Sequence, residues 1–359
     1  MENTKSNFSV SKNFRRMYAM AAKDGRGEAL FGAETLERAN AALRRGAIVD
    51  AGDGAAFYFE FPFTGPPRMD LMVSYDCGSL PSPVAFEDGG DGCCFRAFFE
   101  ALASDPALAG HFCGFSFDLS DMAEKEAEHI PGVYLLPPFE SANVDYVPDM
   151  LLRLGGEERV AQVMAAFAAA PSVWRPYYAG YMPGRRGAPT RLGFIVPEGT
   201  RRRYAERPER LAEDVRAFAG ITLSPGGREV LDCLAGSSGI WDLQFDLCPE
   251  GAFASDLGVS LSLGFHQADA RKSAGFLEQG VAGDTMRRLE ALELADSRWR
   301  LMDKAYYGVQ RLVRGGDGKF LRVGDMVKLN AVKVRFKRGE AYLAKGYLLA
   351  RSRVLQRKE

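Results

Sequence analysis

The sequence predicts a mixed α+β fold: a ten-stranded antiparallel β-barrel built from five αββα repeats, with its helices on the outside. Three observations carry that expectation. Strand-like runs arrive in closely spaced pairs, helical periodicity fills the gaps between the pairs, and the strands divide into one apolar and one polar face.

The first helical stretch is 12–45, and the first strand pair is 56–63 (AFYFEFPF) with 68–76 (RMDLMVSYD), turned at Gly-Pro-Pro. A helical stretch at 92–105 leads to 113–119 (CGFSFDL) with 131–137 (PGVYLLP), and another at 145–170 leads to 177–182 with 190–197 (TRLGFIVP). Helical 202–236 precedes 240–247 (IWDLQFDL) with 257–264 (LGVSLSLG); helical 268–306 precedes 327–337 (VKLNAVKVRFK) with 341–350 (AYLAKGYLLA), turned at Arg338-Gly339-Glu340. Short spacing within each pair calls for hairpins, so the sheet is antiparallel. Phe57, Phe59, Phe61 and Phe63 alternate with Tyr58 and Glu60; Trp241, Leu243, Phe245 and Leu247 alternate with Asp242, Gln244 and Asp246. Successive strand residues face opposite sides. Ten strands in an open sheet would leave two long edges, and closure removes them. With helices outside, the polar face points inward and lines a wide, solvated lumen suited to small molecules. The whole chain, 1–359, reads as one such domain.

With 46 Lys and Arg against 47 Asp and Glu, the formal charge of −1 offers no broad attraction for nucleic acid or anionic lipid. No apolar run of membrane-spanning length and no secretory signal is visible, and the six cysteines are scattered apart from Cys93-Cys94, which gives reduced thiols and a cytoplasmic expectation. His111, His129 and His266 lack metal-site spacing. Glu87-Asp88-Gly89-Gly90-Asp91 reads as a solvated turn, and Arg185-Arg186 and Arg201-Arg202-Arg203 as exposed charge.

The repeat resembles the ABBA, or PT-barrel, family of aromatic prenyltransferases, in particular its dimethylallyltryptophan synthase branch. The likeness spans most of the chain as architecture. It implies that Glu60, in FYFEFPF, is the catalytic acid that orients and deprotonates an aromatic acceptor. Gly132-Val-Tyr-Leu-Leu-Pro137 resembles the K-x-Y-x-x-P strand, keeping Tyr134 but with Gly132 at the Lys position; Arg191-Leu-Gly-Phe-Ile-Val-Pro197 resembles R-x-K-x-Y, keeping Arg191 but with Gly193 and Ile195 in place of Lys and Tyr. The Arg of the first hairpin falls at Met72. An intact K-x-Y stands at Lys345 and Tyr347, beside Lys333 and Arg335. The likeness therefore implies that Arg191, Lys333, Arg335 and Lys345 hold a prenyl diphosphate and that Tyr134 and Tyr347 screen the allyl cation, with Gln244 on the same polar face in the substrate-binding set. The partners implied are a prenyl diphosphate and an indole, tryptophan or peptide acceptor; no cofactor is required, and Mg²⁺ bridging diphosphate to carboxylates is the one metal role to consider. The substituted positions raise a second expectation, a repurposed barrel that binds a small molecule or peptide without prenyl transfer. A third is acid–base chemistry at Asp242 and Asp246.

Overall fold

The computed structural model describes residues 12–45, 55–76, 111–119, 131–137, 144–154, 156–182, 185, 187–237, 239–262, 277, 280–303, 305, 307–314 and 320–357. The predicted helix at 92–105, Cys93-Cys94, the acidic 87–91 turn, Arg186, His129 and His266 lie outside them.

Ten strands close a ring. They are β1 (Ala56–Pro62), β2 (Asp70–Asp76), β3 (Phe112–Phe117), β4 (Gly132–Leu136), β5 (Arg175–Tyr181), β6 (Thr190–Ile195), β7 (Ile240–Leu247), β8 (Phe253–Leu261), β10 (Phe320–Lys337) and β11 (Glu340–Arg357), all neighbours antiparallel. β10 pairs with β8 and β11, and β11 returns to β1, with Glu60 opposite Tyr347 and Pro62 opposite Lys345. An eleventh strand, β9 (Tyr307–Arg314), was not expected. It pairs with the first part of β10, from Phe320 to Val327, while the second part pairs with β8. β10 and β11 are accordingly 18 residues each, longer than predicted, and with β9 they carry three strands beyond the barrel rim.

The apolar faces point outward, under the helices. Phe57, Phe59, Phe61 and Phe63 are buried, and Phe14 of α1 (Lys12–Ala21) lies 5.5 Å from Phe57. Each fully buried ring of this kind contributes about 1.5–3 kcal/mol. The predicted 12–45 helix is two helices, α1 and α2 (Thr35–Arg45), separated by a turn and a π-helical Gly27–Phe31. The 145–170 stretch divides into α3 (Val147–Arg153) and α4 (Val160–Ala169), and 202–236 into α5 (Glu198–Glu206), α6 (Glu209–Ala219) and α7 (Pro225–Gly236). Pro208 and Pro225 mark the breaks, since Pro enters a first helical turn far more readily than an interior. Within 268–306 the described helices are α8 (Gly280–Ala291) and α9 (Trp299–Asp303). The last hairpin turns on Arg338 and Gly339 alone, both at positive φ, which matches the tight mirror-image turn that strand twist favours.

Three bulges correct the simple alternation. Asn330 is passed over between the pairs Leu329–Leu348 and Ala331–Tyr347, so Lys328 above it and Lys333 and Arg335 below it reach the same, inner face of β10. On β5 the register steps past Tyr177, and Tyr177 and Tyr178 join one inner cluster instead of facing opposite ways. On β7 it steps past Trp241, which packs on that inner cluster and not with Leu243, Phe245 and Leu247 on the outer face. A bulge inserts one residue and reverses the parity downstream.

Candidate functional site

The inner face of the barrel divides into an aromatic side and a charged side. On the aromatic side Tyr134, Tyr177, Tyr178, Met182 and Ile195 form a buried cluster, with Met72 and Trp241 packed against it. The rings of Tyr134 and Tyr178 meet edge to face at 5.8 Å. This cluster accounts for Gly193 and Gly132. A Cβ at Gly193 would run into the ring of Tyr178, and one at Gly132 into the sulfur of Met182. Neighbouring side chains fill the space that a larger residue would need at either position.

The charged side contains the other predicted residues. Arg191 makes a bidentate pair with Asp246 (2.7 and 2.9 Å) and donates to the Tyr134 hydroxyl at 3.3 Å, while Arg335 approaches Asp246 at 3.6 Å. Lys345 donates to Glu60 at 2.6 Å and to Asp70 at 3.3 Å. Arg185, expected to be exposed charge, instead forks onto Asp118 with two bonds of 2.7 Å. Gln244 donates its amide to Asp242 at 3.0 Å. Glu60, Tyr134, Arg191, Gln244, Lys333, Arg335, Lys345 and Tyr347 thus all share the lumen. Its walls are mostly buried, with Arg191, Asp242, Gln244, Asp246, Lys333 and Tyr347 each less than a tenth exposed. The wall is thus more buried and more fully charge-paired than the wide, solvated lumen the sequence predicts, since most charges withdrawn from water here have a partner.

The electrostatics follow from this pairing. Burial by itself would raise the Glu60 pKa, but Lys345 and Lys333 outweigh it and hold the carboxyl well below the usual range. Asp246 is likewise pulled down against burial by Arg191. Burial lowers the Lys345 pKa, yet Glu60 and Asp70 leave it net raised. Tyr347 and Tyr178 are pushed well up, by burial first and then by Glu60 and Asp242 respectively. Lys333 stands apart. Among the described residues it makes no hydrogen bond or ion pair; its amine sits 4.9 Å from the centre of the Tyr347 ring, and burial, aided by Arg191 and Arg335, depresses it to about 7 against the pull of Glu60 and Asp242. Around it, Asp242 Oδ1 and Gln244 Oε1 are buried without a hydrogen-bond partner among the described residues, while the Tyr347 hydroxyl is turned to Glu60. Ser260, next to both Asp242 and Lys333 in register, places these groups on adjoining strands.

The sequence reading takes Arg185 for exposed charge and has Tyr177, Tyr178 and Tyr181 place at least one ring in the lumen; in the structure both Tyr177 and Tyr178 are there. Asp118 on the polar parity of β3 asks for a cation, but nothing in the chain says that the β5–β6 turn supplies it. A groove of about 860 Å³ between α7 and α8, lined by Arg228, Asp232, Cys233 and Asp284 among others, contains none of the lumen residues. Among the described residues no cluster of His, Cys, Asp and Glu is arranged to hold a metal ion, and no helix is long and apolar enough to cross a membrane. No family model matches the chain, and no curated protein is significantly similar to it.

Proposed function

We propose that the lumen is a small-molecule site in which a prenyl group passes from a prenyl diphosphate to an aromatic acceptor. The observation that carries this reading is the meeting, inside one closed barrel, of an amine without a carboxylate partner among the described residues, Lys333, with a tyrosine-lined wall and two unpartnered polar atoms, Asp242 Oδ1 and Gln244 Oε1. An unpartnered buried polar atom costs about 1–3 kcal/mol, which a bound polar ligand recovers. The diphosphate oxygens are received by Lys333, protonated as the anion arrives, with Arg335 and Arg191 alongside. The C–O bond then breaks heterolytically, the electron pair leaving with the diphosphate. The aromatic ring attacks the allyl cation under the faces of Tyr134, Tyr178 and Tyr347, and the ring proton then passes to the released diphosphate, which restores aromaticity. Cation–π contact and exclusion of water lower the barrier for such a step. Glu60, held ionised by Lys345, is fitted to accept an acceptor N–H and to orient it.

A second reading, a barrel that binds a small molecule without transfer, is favoured by a specific observation: Arg191, Arg335, Lys345 and Arg185 already rest on lumen carboxylates. Incubation with isotope-labelled dimethylallyl diphosphate and a panel of indoles, tryptophan and aromatic peptides separates the two. Prenylated product detected by mass, and lost in Glu60→Gln, supports transfer. Tight binding of an aromatic with no product under any donor supports the second reading.

A further inference from the structure

Beyond the rim, β9, the first part of β10 and the end of β11 form a three-stranded extension whose two faces differ. Directly paired residues share a face in an antiparallel sheet. One face carries Asp325 and Ser352, which α1 covers, while Val309 at its edge stays exposed: Asp325 accepts from Arg311 at 2.8 Å and from Ser352 at 2.6 Å and pairs with Arg16 at 2.9 Å. The opposite face continues the lumen wall. Its register rows are Met326 with Arg351, Gly324 with Gln310 and Arg353, Arg322 with Leu312, and Phe320 with Arg314.

Among the described residues this second face has no acidic side chain, and Arg314, Arg322, Arg351 and Arg353 form no ion pair with any described residue. It is also apolar: Leu312 is 59% exposed, Phe320 53% and Leu355 48%, with Leu355 lying over Gly324. Toward the barrel the same charge continues into Lys328, whose amine burial and Arg351 both depress. The Arg351 Nε is buried without a hydrogen-bond partner. The outer edge of β9 is unpaired among the described residues.

We infer that this basic, apolar extension docks an extended acidic peptide. Such a segment adds to the β9 edge by main-chain bonds and lays alternate side chains over Leu312 and Arg314, so that carboxylates meet arginines and apolar groups meet Leu312, Leu355 and Phe320. A nucleic acid would call for several stacking rings, and Phe320 is the one on this face among the described residues. A membrane would call for a continuous apolar surface, whereas the arginines interrupt this one. The inference holds whichever reading of the lumen is correct.

The test is fluorescence anisotropy of the full chain with a labelled peptide of alternating Glu and Leu about ten residues long. The expected result is micromolar, salt-sensitive binding that the Arg322→Glu/Arg353→Glu variant weakens about tenfold or more and that the remote Arg202→Glu/Arg203→Glu variant leaves unchanged. Thermal melts of both variants should stay close to the parent chain, because surface charges and exposed ion pairs such as Arg202–Glu198 contribute little to stability. No peptide binding, or binding indifferent to Arg322 and Arg353, overturns the inference. Equal or tighter binding of oligothymidylate or of phosphatidylserine vesicles also overturns it, by assigning the face to a nucleic acid or a membrane.

Discussion

β10 and β11 carry the same chemistry through two environments, and the cations behave oppositely in each. Below the rim Arg335 and Lys345 lie against carboxylates, and Arg191 across the lumen does the same. Above it Arg322, Arg351 and Arg353 have no such partner among the described residues. Water solvates a charge on the extension at little cost, whereas the closed barrel must supply a counter-charge or push the group toward neutrality. Lys333 is the exception inside, and it takes the second route. The comparison separates a buried, largely charge-paired interior with one amine pushed toward neutrality from a basic surface open to an anionic partner.

The largest effect should come from breaking an interior pair. Arg191→Ala leaves Asp246 buried with the more distant Arg335 and removes the bond to Tyr134, and is expected to destabilise the fold by about 3–5 kcal/mol in denaturant titrations. A loss under 1 kcal/mol would mean that the lumen is wetter than its packing implies.

Lys333→Met should act in the other direction. The amine titrates at about 7 in the fold against an ordinary value of 10.5. Between those values the unfolded chain binds the extra proton, so the native protein gains stability as pH rises through that window and bears the full penalty below 7. Removing the amine is therefore expected to stabilise by about 1–4 kcal/mol at pH 6, a gain that shrinks as pH approaches 10. Melting curves of parent and variant across this range check it; a gain independent of pH would show that Lys333 stays charged.

The smallest effect contrasts two glycines. Gly193→Ala forces the buried Tyr178 ring to move and is expected to cost about 1–3 kcal/mol. Gly324→Ala on the extension meets only the exposed end of Leu355 and should stay within about 0.5 kcal/mol. Equal costs would erase the distinction between interior and extension.

The barrel was legible because its signal is redundant. Five spaced pairs of runs, with residues such as Phe57, Phe59 and Phe61 opposed to Glu60, specify hairpins, faces and closure together. What alternation could not show was a single inserted residue. Asn330, Tyr177 and Trp241 occupy bulges, so the inner placement of Lys328 with Lys333, and of Trp241 with Tyr177, follows from register and not from parity. β9 escaped notice because Gln310, Arg311 and Arg314 interrupt its apolar positions, a pattern that belongs to a strand exposed along one face. The residue set of the lumen was readable from the strands, but its pairing was not: Arg185 meets Asp118, and Lys345 joins Glu60 to Asp70, across distances that no local pattern encodes.

The most direct test of the lumen as a diphosphate site is calorimetric titration at pH 8 with a non-hydrolysable dimethylallyl diphosphate analogue. It is run with and without Mg²⁺, in buffers of different ionisation enthalpy, on the parent chain and on Lys333→Met. At this pH the Lys333 amine is largely neutral, so the account predicts micromolar binding with uptake of close to one proton, both lost in the variant. Absence of binding, or binding without proton uptake that Lys333→Met retains, would contradict it.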